Sequence, residues 1–493
     1  MTPTTLMVLS MALPLVGCLI CVLLPKQNNL RDGIAFVIAL ALFAVVFNIL
    51  SKFTNGQAFD LTLWTFVPGI KIAFSIEPLG LMFALVASSL WILTHIYGVG
   101  YMRGNKEKKH ARFFACFSFA IFATIGIAFS ANLLTLFLFY ELLTISTYPL
   151  VAHKETEEAK KGARIYLGIL MGTSIVFLLT GIIWTYVIAG TMDFTAGGIL
   201  EGKISPVFLG VLLALFAFGI GKAALMPFHK WLPAAMVAPT PVSALLHAVA
   251  VVKAGVFSIL KVGIYIFGID NLNQTGSSEW LVWVATASIL IASLIAMAQD
   301  NLKKRLAYST VSQLSYITLG MALATSVGAI DGGLHIVAHA IGKITLFMCA
   351  GSIYVATHKT EISDMHGLGR AMPFTFVAFG IGALSIIGLP PFAGSWSKWL
   401  LLVTASDTNH QIVVGALIVS SLLNVVYLLP IFARAFYGGD VSPSTQPFRK
   451  RLKEAPLLCV IPPCVTALCC LLLFFFAGTI EAFLAPMVAG VVN

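Results

Sequence analysis

Apolar stretches of about 20 residues recur from one end of this chain to the other, and no other feature limits its fold as strongly. A helix of that length crosses a hydrocarbon core about 30 Å thick. Fourteen spans are expected, at 6–25, 33–51, 78–101, 113–130, 132–152, 163–189, 206–236, 241–268, 278–298, 305–325, 329–356, 373–404, 411–437 and 456–488. Composition excludes the alternative of a soluble core. The chain is 59% hydrophobic and 10% charged, whereas soluble domains carry roughly 25% charged residues. The fold class that follows is an all-α polytopic membrane protein of about fourteen transmembrane helices with no soluble domain.

A net charge of +10 would suit a nucleic-acid partner, but the basic residues fall in alternate loops, so no nucleic acid is expected. Lys26 and Arg31 follow the first span; Arg103, Lys106, Lys108, Lys109 and Arg112 follow the third. Later odd-numbered loops carry Lys154, Lys160, Lys161 and Arg164, then Lys303, Lys304 and Arg305, then Lys359 and Arg370, then Arg449, Lys450, Arg451 and Lys453. The even-numbered loops are nearly free of Lys and Arg. By the positive-inside rule the odd loops are cytoplasmic and both termini lie on the other side of a bacterial cytoplasmic (inner) membrane. The run Glu155 to Glu158 reads as part of a solvated cytoplasmic loop.

Leu15-Val16-Gly17-Cys18 has the form of a lipoprotein cleavage box, but the first 25 residues contain no Lys or Arg, and a signal sequence needs a positive n-region. The stretch is therefore expected to remain as the first span. Cys18 and Cys21 form a C-x-x-C pair with no second pair to complete a metal site. They read as small core hydrophobes, and the other six cysteines also lie in spans.

Ionisable residues inside the spans carry the functional signal, because each costs on the order of 2.5–3.5 kcal/mol on insertion scales. Glu141 lies nine residues after Asn132, about 14 Å into the fifth span at 1.5 Å per residue. Lys222, Lys253, Lys343 and Lys398 lie within the seventh, eighth, eleventh and twelfth spans. Buried ion pairs that fix packing would explain one such pair. One carboxylate cannot neutralise four lysines, so the surplus must be partly neutral, and a lysine poised between states is a proton carrier. His335, His339 and Lys343 fall at i, i+4 and i+8 and form a stripe on one helix face, spaced about 6 Å apart. The rival reading, an H-x-x-x-H metal site, lacks a third ligand and a neighbouring Glu, so no metal is expected. His247, six residues before Lys253, is either a gate or relay or a packing histidine.

Two spans are interrupted in parallel ways. Lys222 is followed by Pro227-Phe228-His229-Lys230-Trp231-Leu232-Pro233, and Gly388-Leu389-Pro390-Pro391-Phe392 precedes Lys398-Trp399-Leu400. Proline removes a backbone donor, and breaks at membrane depth are tolerated where they line a cavity. Paired broken helices point to inverted five-helix repeats, spans 4–8 and 9–13 with broken helices 7 and 12. The expected units are 1–112, holding the first three spans; 113–268 and 278–437, the repeats; and 438–493, a cytoplasmic loop with the last span. Gly380, Gly382 and Gly388 read as close-packing positions. There is no P-loop, dinucleotide fingerprint, haem or iron–sulfur spacing, so no cofactor is expected and energy must come from an ion gradient or a partner.

The chain resembles the antiporter-like proton-channel subunits of the complex I, Mrp antiporter and membrane-hydrogenase superfamily. The resemblance rests on Ile76-Glu77-Pro78-Leu79-Gly80, Asn132 to Glu141, Gly221-Lys222 through Pro233, Pro239-Thr240-Pro241-Val242-Ser243-Ala244-Leu245-Leu246-His247, Leu302 to Thr310, His339 to Lys343 and Gly388 to Lys398, and runs from about 75 to 435. It implies fourteen helices, a coupling ion pair at Glu141 and Lys222, a connecting lysine at Lys253, a central relay at His335, His339 and Lys343, and an exit-side group at Lys398. It also implies that the chain works with other membrane subunits. Lys398 stands where one complex I member has an acid, and the long C-terminal arm of the largest member is lacking; both favour the D-type subunits of Mrp antiporters. Ile76-Glu77-Pro78 is seen more in the Mrp and hydrogenase branches than in complex I, but does not separate those two.

The expected function is therefore proton translocation within a multisubunit monovalent cation (Na+)/proton antiporter, not itself an enzyme, with protons and Na+ as the transported ions and the lipid bilayer as surroundings. The alternatives are the proton-pumping arm of a redox complex, either NADH-quinone oxidoreductase-like or hydrogenase, and an energy-coupling subunit for inorganic-carbon uptake.

Overall fold

The computed structural model describes residues 1–67, 69–245, 249–437 and 452–488. His247, and Arg449, Lys450 and Arg451 of the last basic loop, lie outside the described residues.

Several spans begin where the sequence supplies a cap. Asn132 accepts from the Thr135 amide at the start of Leu133–Val151, Thr325 from Gly328 at the start of Ser326–Thr357, and Glu77 from the amides of Leu79 and Gly80 at the start of Pro78–Gly104. Proline occupies the first turn of Pro78–Gly104, Pro206–Gly219 and Pro373–Ile387, where its missing N–H costs no helical bond. The outer helices Pro3–Leu23 and Asn28–Thr54 turn large apolar side chains outward, among them Val22, Leu23, Val37 and Phe47. That is the pattern of helices facing lipid.

Among the described residues, ten helices are long and apolar enough to cross a membrane, and an eleventh arises if Val251–Phe267 and Ile269–Thr275, bent by 77°, count as one. The expected spans that fail this test are the seventh, eighth, tenth and twelfth. Three of them are interrupted and carry Lys222, Lys253 and Lys398. The tenth, Leu302–Ala322, is continuous but polar, with Ser309, Thr310, Ser312, Gln313, Ser315 and Thr318 all buried. Such side chains are tolerated there because the helix faces protein rather than lipid.

At the centre runs Ser326–Thr357, 32 residues and almost wholly buried. Leu302–Ala322, Pro373–Ile387, Gly394–Asp407 and Leu457–Phe475 pack around it. The seventh span stops at Gly219, makes a single 3-10 turn at Gly221–Ala223 and resumes only at Trp231–Ala234. The twelfth stops at Ile387 and resumes at Gly394–Asp407.

The mostly helical fold carries one addition: Asp60–Val67 and Ile70–Ser75, between the second and third spans, pair antiparallel with Asp60 opposite Ser75. β-Branched and aromatic residues make up most of the first strand and alternate along the second, which suits extended backbone. One expectation needs correction: Arg31 is not a solvated loop charge. It lies inside Asn28–Thr54, fully buried, with its guanidinium 2.7 Å from the Asp32 carboxylate, which also holds Arg103 at 2.6 Å. Lys26 and the third loop remain exposed. In that loop Lys109 and Arg112 both bond Glu155, and these hydrogen bonds pull its carboxyl down to about 2.

Candidate functional site

Lys222 sits in the 3-10 turn that interrupts the seventh span, and it is fully buried. Its ammonium donates to the Tyr140 carbonyl at 2.8 Å and to the Thr144 hydroxyl at 2.6 Å, and it lies 3.1 Å from the centre of the Tyr140 ring. Its amide donates to the Tyr140 hydroxyl at 3.0 Å. Trp231 fixes the break from the other side by donating its indole N–H to the Gly221 carbonyl. The ammonium thus docks on the fifth span beside Glu141 without pairing with it. Both carboxylate oxygens of Glu141 are buried and have no hydrogen-bond partner among the described residues. The implied ion pair is replaced by a through-space interaction, because a carbonyl and a hydroxyl on the adjacent helix face already satisfy Lys222.

The next lysine is held against this break by a close backbone approach. A Cβ on Gly255 would lie 2.3 Å from the carbonyl carbon of Lys222 and the amide nitrogen of Ala223. Val251–Val262 therefore rests directly on the turn that carries Lys222, two residues after Lys253. Gly255→Ala is expected to push the two apart and lower stability by about 1–3 kcal/mol, the usual cost of overpacking. Thermal unfolding of the detergent-solubilised protein measures it.

From Lys253 the contacts run in one line. Its ammonium meets Nδ1 of His339 on the eleventh span. The His339 ring stacks on that of His335 with centroids 6.0 Å apart and planes 16° apart. His335 stacks in turn on Tyr316 at 5.6 Å, and its Nδ1 lies 2.7 Å from the Ser397 hydroxyl. Ser397 immediately precedes Lys398, whose ammonium lies 5.1 Å from the Tyr316 ring centre and donates to the Ile387 carbonyl at 3.1 Å. That carbonyl belongs to the last residue before the helix break. Gly388 has φ +89°, and a Cβ there would lie 2.7 Å from Cδ of Lys398, so the break makes room for the lysine stem. A cavity of about 610 Å³ opens beside Lys398, lined by Trp396, Trp399, Leu422 and Phe474 among others.

Lys343 leaves this line. Its ammonium donates to the Ser309 hydroxyl at 2.6 Å, which also accepts from Tyr427 at 2.9 Å, and Tyr427 bonds Asn424. It forms a branch between the tenth and thirteenth spans rather than a third member of the histidine stack.

Besides Arg31 and Asp32, two more buried charges were not among the expected groups. Lys261 is 1% exposed and donates to the Ser130 carbonyl at 2.8 Å, with Glu77 3.3 Å away and Tyr265 bonding the same carboxylate. It stands eight residues after Lys253, so helical spacing places it on the same face. Asp331, four residues before His335, is the other. The hydroxyl and amide partners Thr144, Tyr140, Ser309, Ser397 and Asn424 had no separate signal, being single polar groups in apolar helices.

Residues 130–424 match the family described as "NADH:quinone oxidoreductase/Mrp antiporter, TM", and 64–114 match "NADH-Ubiquinone oxidoreductase (complex I), chain 5 N-terminus". NADH-quinone oxidoreductase subunit N of Desulforudis audaxviator is 31% identical over 409 residues, which is 80% of this chain and 80% of that protein. NAD(P)H-quinone oxidoreductase chain 5 of a Synechocystis species is 32% identical over 388 residues, 75% of this chain but 55% of that protein. The chain thus spans little more than half the length of that relative. The fold superposes on a chain of the membrane-bound sulfane sulfur reductase, an archaeal respiratory membrane complex, with a TM-score of 0.86 at 24% identity, covering 98% and 97% of the two chains. It superposes equally on a chain of the Mrp complex from Dietzia sp. DQ12-45-1b, with 0.86 at 21% identity over 99% and 97%. The segment from Glu141 to Lys398, which holds the whole line of buried contacts, lies inside the longer family match, and the chain belongs to the transmembrane subunit family of NADH:quinone oxidoreductases and Mrp antiporters.

Proposed function

We propose that this chain is the proton-translocating subunit of a multisubunit monovalent cation (Na+)/proton antiporter in a bacterial cytoplasmic membrane, with both termini on the non-cytoplasmic side. Protons move from Glu141 and Lys222 through Lys253, His339 and His335 to Lys398, with Lys343 as a branch and His247, six residues before Lys253 in the sequence, as a gate or relay. The observation that carries the reading is the Lys253–His339 contact, which joins spans four to eight to spans nine to thirteen through two titratable groups buried away from water. These two sets of spans act as inverted repeats, each contributing one broken helix and its lysine. A lysine Nζ against an imidazole nitrogen has a second titratable group to exchange its proton with, which a carbonyl partner alone does not offer.

Transport by the complete complex in inverted vesicles tests this. A Na+ pulse is expected to collapse a preformed proton gradient, and Lys253→Met to slow that collapse on the order of 100-fold, the scale of a lost proton-transfer group. Wild-type rates in the Lys253→Met vesicles would rule the path out.

One observation favours a second reading, the membrane arm of a redox complex: a named NADH-quinone oxidoreductase subunit matches over four fifths of both chains. Native mass spectrometry separates the two. Co-purifying small membrane subunits support the antiporter, and iron–sulfur or flavin subunits support the redox arm.

A further inference from the structure

Asp331 lies five residues into Ser326–Thr357 and is 1% exposed. Asp331, His335, His339 and Lys343 fall at i, i+4, i+8 and i+12, so the aspartate extends the histidine stripe by one more step of about 6 Å toward the helix start. By the positive-inside pattern, that start is the non-cytoplasmic end. The Oδ1 atom of Asp331 is buried without a hydrogen-bond partner among the described residues. Capping does not need it, because Thr325 caps this helix. Nor does an ion pair hold it, for the charged group acting on it is itself a carboxyl, Glu481.

Glu481 is placed there by the short helix Ala477–Leu484 that follows the last span. That helix packs on the start of Ser326–Thr357, and a Cβ on Gly333 would lie 2.8 Å from Cδ1 of Leu484. Glu481 is half-buried, and its Oε1 also lacks a partner among the described residues. Burial thus increases from Glu481 to Asp331. One step beyond is His335, whose Nε2 is a further buried atom without a partner among the described residues. Two carboxyls that repel each other favour a state in which one of them holds a proton.

We propose that Asp331 and Glu481 form the port through which protons pass between non-cytoplasmic water and His335. Glu481 takes a proton from water and hands it to Asp331, returning to carboxylate. Asp331 then delivers the proton to Nε2 of His335, on the opposite side of the ring from the nitrogen that meets Ser397. Outward flow reverses each transfer.

The port rests on the histidine path proposed above, so the test carries Lys253→Met as a control. Asp331→Asn and Glu481→Gln, made in the complete complex, are expected to assemble normally on native gels. Each should lower proton flux in vesicles by roughly tenfold or more. The double variant should lose no more than either single one, because the two act as one unit. Flux should also stop responding to pH on the non-cytoplasmic side while still responding on the other, and Asp331→Glu should restore part of it. A role in packing alone would leave that one-sided pH response unchanged and overturns the port, as do wild-type flux in Asp331→Asn or losses that multiply in the double variant. If Asp331→Asn fails to assemble, the half-exposed Glu481→Gln decides by the same pH response. A shifted Na+ dependence with an unchanged proton response would make the pair a cation site and overturn the proposal. Full flux in Lys253→Met sinks the path itself; an inactive Lys253→Met beside a fully active Asp331→Asn sinks only the port.

Discussion

Glu141→Gln is expected to lower proton flux on the order of 100-fold while the complex assembles in normal amounts. The expectation comes from what Glu141 does not do. Neither oxygen accepts a hydrogen bond from any described residue, and Lys222 is satisfied by Tyr140 and Thr144. Removing the charge therefore breaks no bond that holds the fold, and glutamine keeps the shape. What is lost is a through-space partner for the Lys222 ammonium and a group that can itself carry a proton. Lys222→Ala should behave differently, since it abandons the Tyr140 carbonyl and the Thr144 hydroxyl in a dry site and so costs stability as well as flux. Glu141→Asp keeps the charge at shorter reach and is expected to retain partial activity. Flux in vesicles matched for assembled complex measures all three. An active Glu141→Gln, or a Glu141→Asp as dead as Gln, would show that the charge is not what the site uses.

The contrast between Glu141 and Lys222 marks how far the sequence could be read. Which helices carry charge at mid-depth follows from counting, since an ionisable residue in an apolar run has nowhere else to go. Which partner each charge finds depends on how neighbouring helices rotate, and Thr144 or Ser309 looks in the sequence like any hydroxyl in a polar-spotted helix. The family resemblance implied an ion pair at Lys222; the side chain instead reaches a carbonyl one residue before the carboxylate. In the same way the spacing of His335, His339 and Lys343 gives a common face, yet the histidines stack while the longer lysine side chain swings to Ser309.

Lys261 and Asp331 were legible by the same rule that found Lys253 and His335, one or two helical steps along the same faces. Both lie near a span end, where a charge reads as one that reaches the interface. In the folded chain neither does. Lys261 turns inward to the carbonyls of Ala128 and Ser130, and Asp331 is covered by a short helix from the far end of the sequence. The hairpin at Asp60–Val67 and Ile70–Ser75 escaped because it lies between spans, where span length carries no information. The two helix breaks were legible from proline and glycine, since proline removes a backbone donor and glycine reaches the positive φ that ends a helix, as Gly388 does.

Lys398→Arg is expected to abolish turnover, and Lys398→Glu to preserve part of it. The lysine lies at the end of the line, its ammonium 3.1 Å from the Ile387 carbonyl and 5.1 Å from the Tyr316 ring that separates it from His335. A carrier in that position must release its proton in every cycle. Guanidinium effectively never does so, whereas a carboxylate can bind and release one. Geometry sharpens the contrast, because the carbonyl and the aromatic face would both welcome an arginine, and the cavity beside Lys398 has room for its larger head. The Arg variant should therefore fold and assemble as well as wild type, and its loss would be chemical rather than structural. Were Lys398 present only to satisfy the exposed carbonyl at the helix break, the order would reverse: Arg would be mild, and Glu would place two acceptors face to face and be severe. Proton flux in Lys398→Arg and Lys398→Glu vesicles at equal assembly separates the two, and an active Arg variant would mean that this lysine keeps its proton throughout transport.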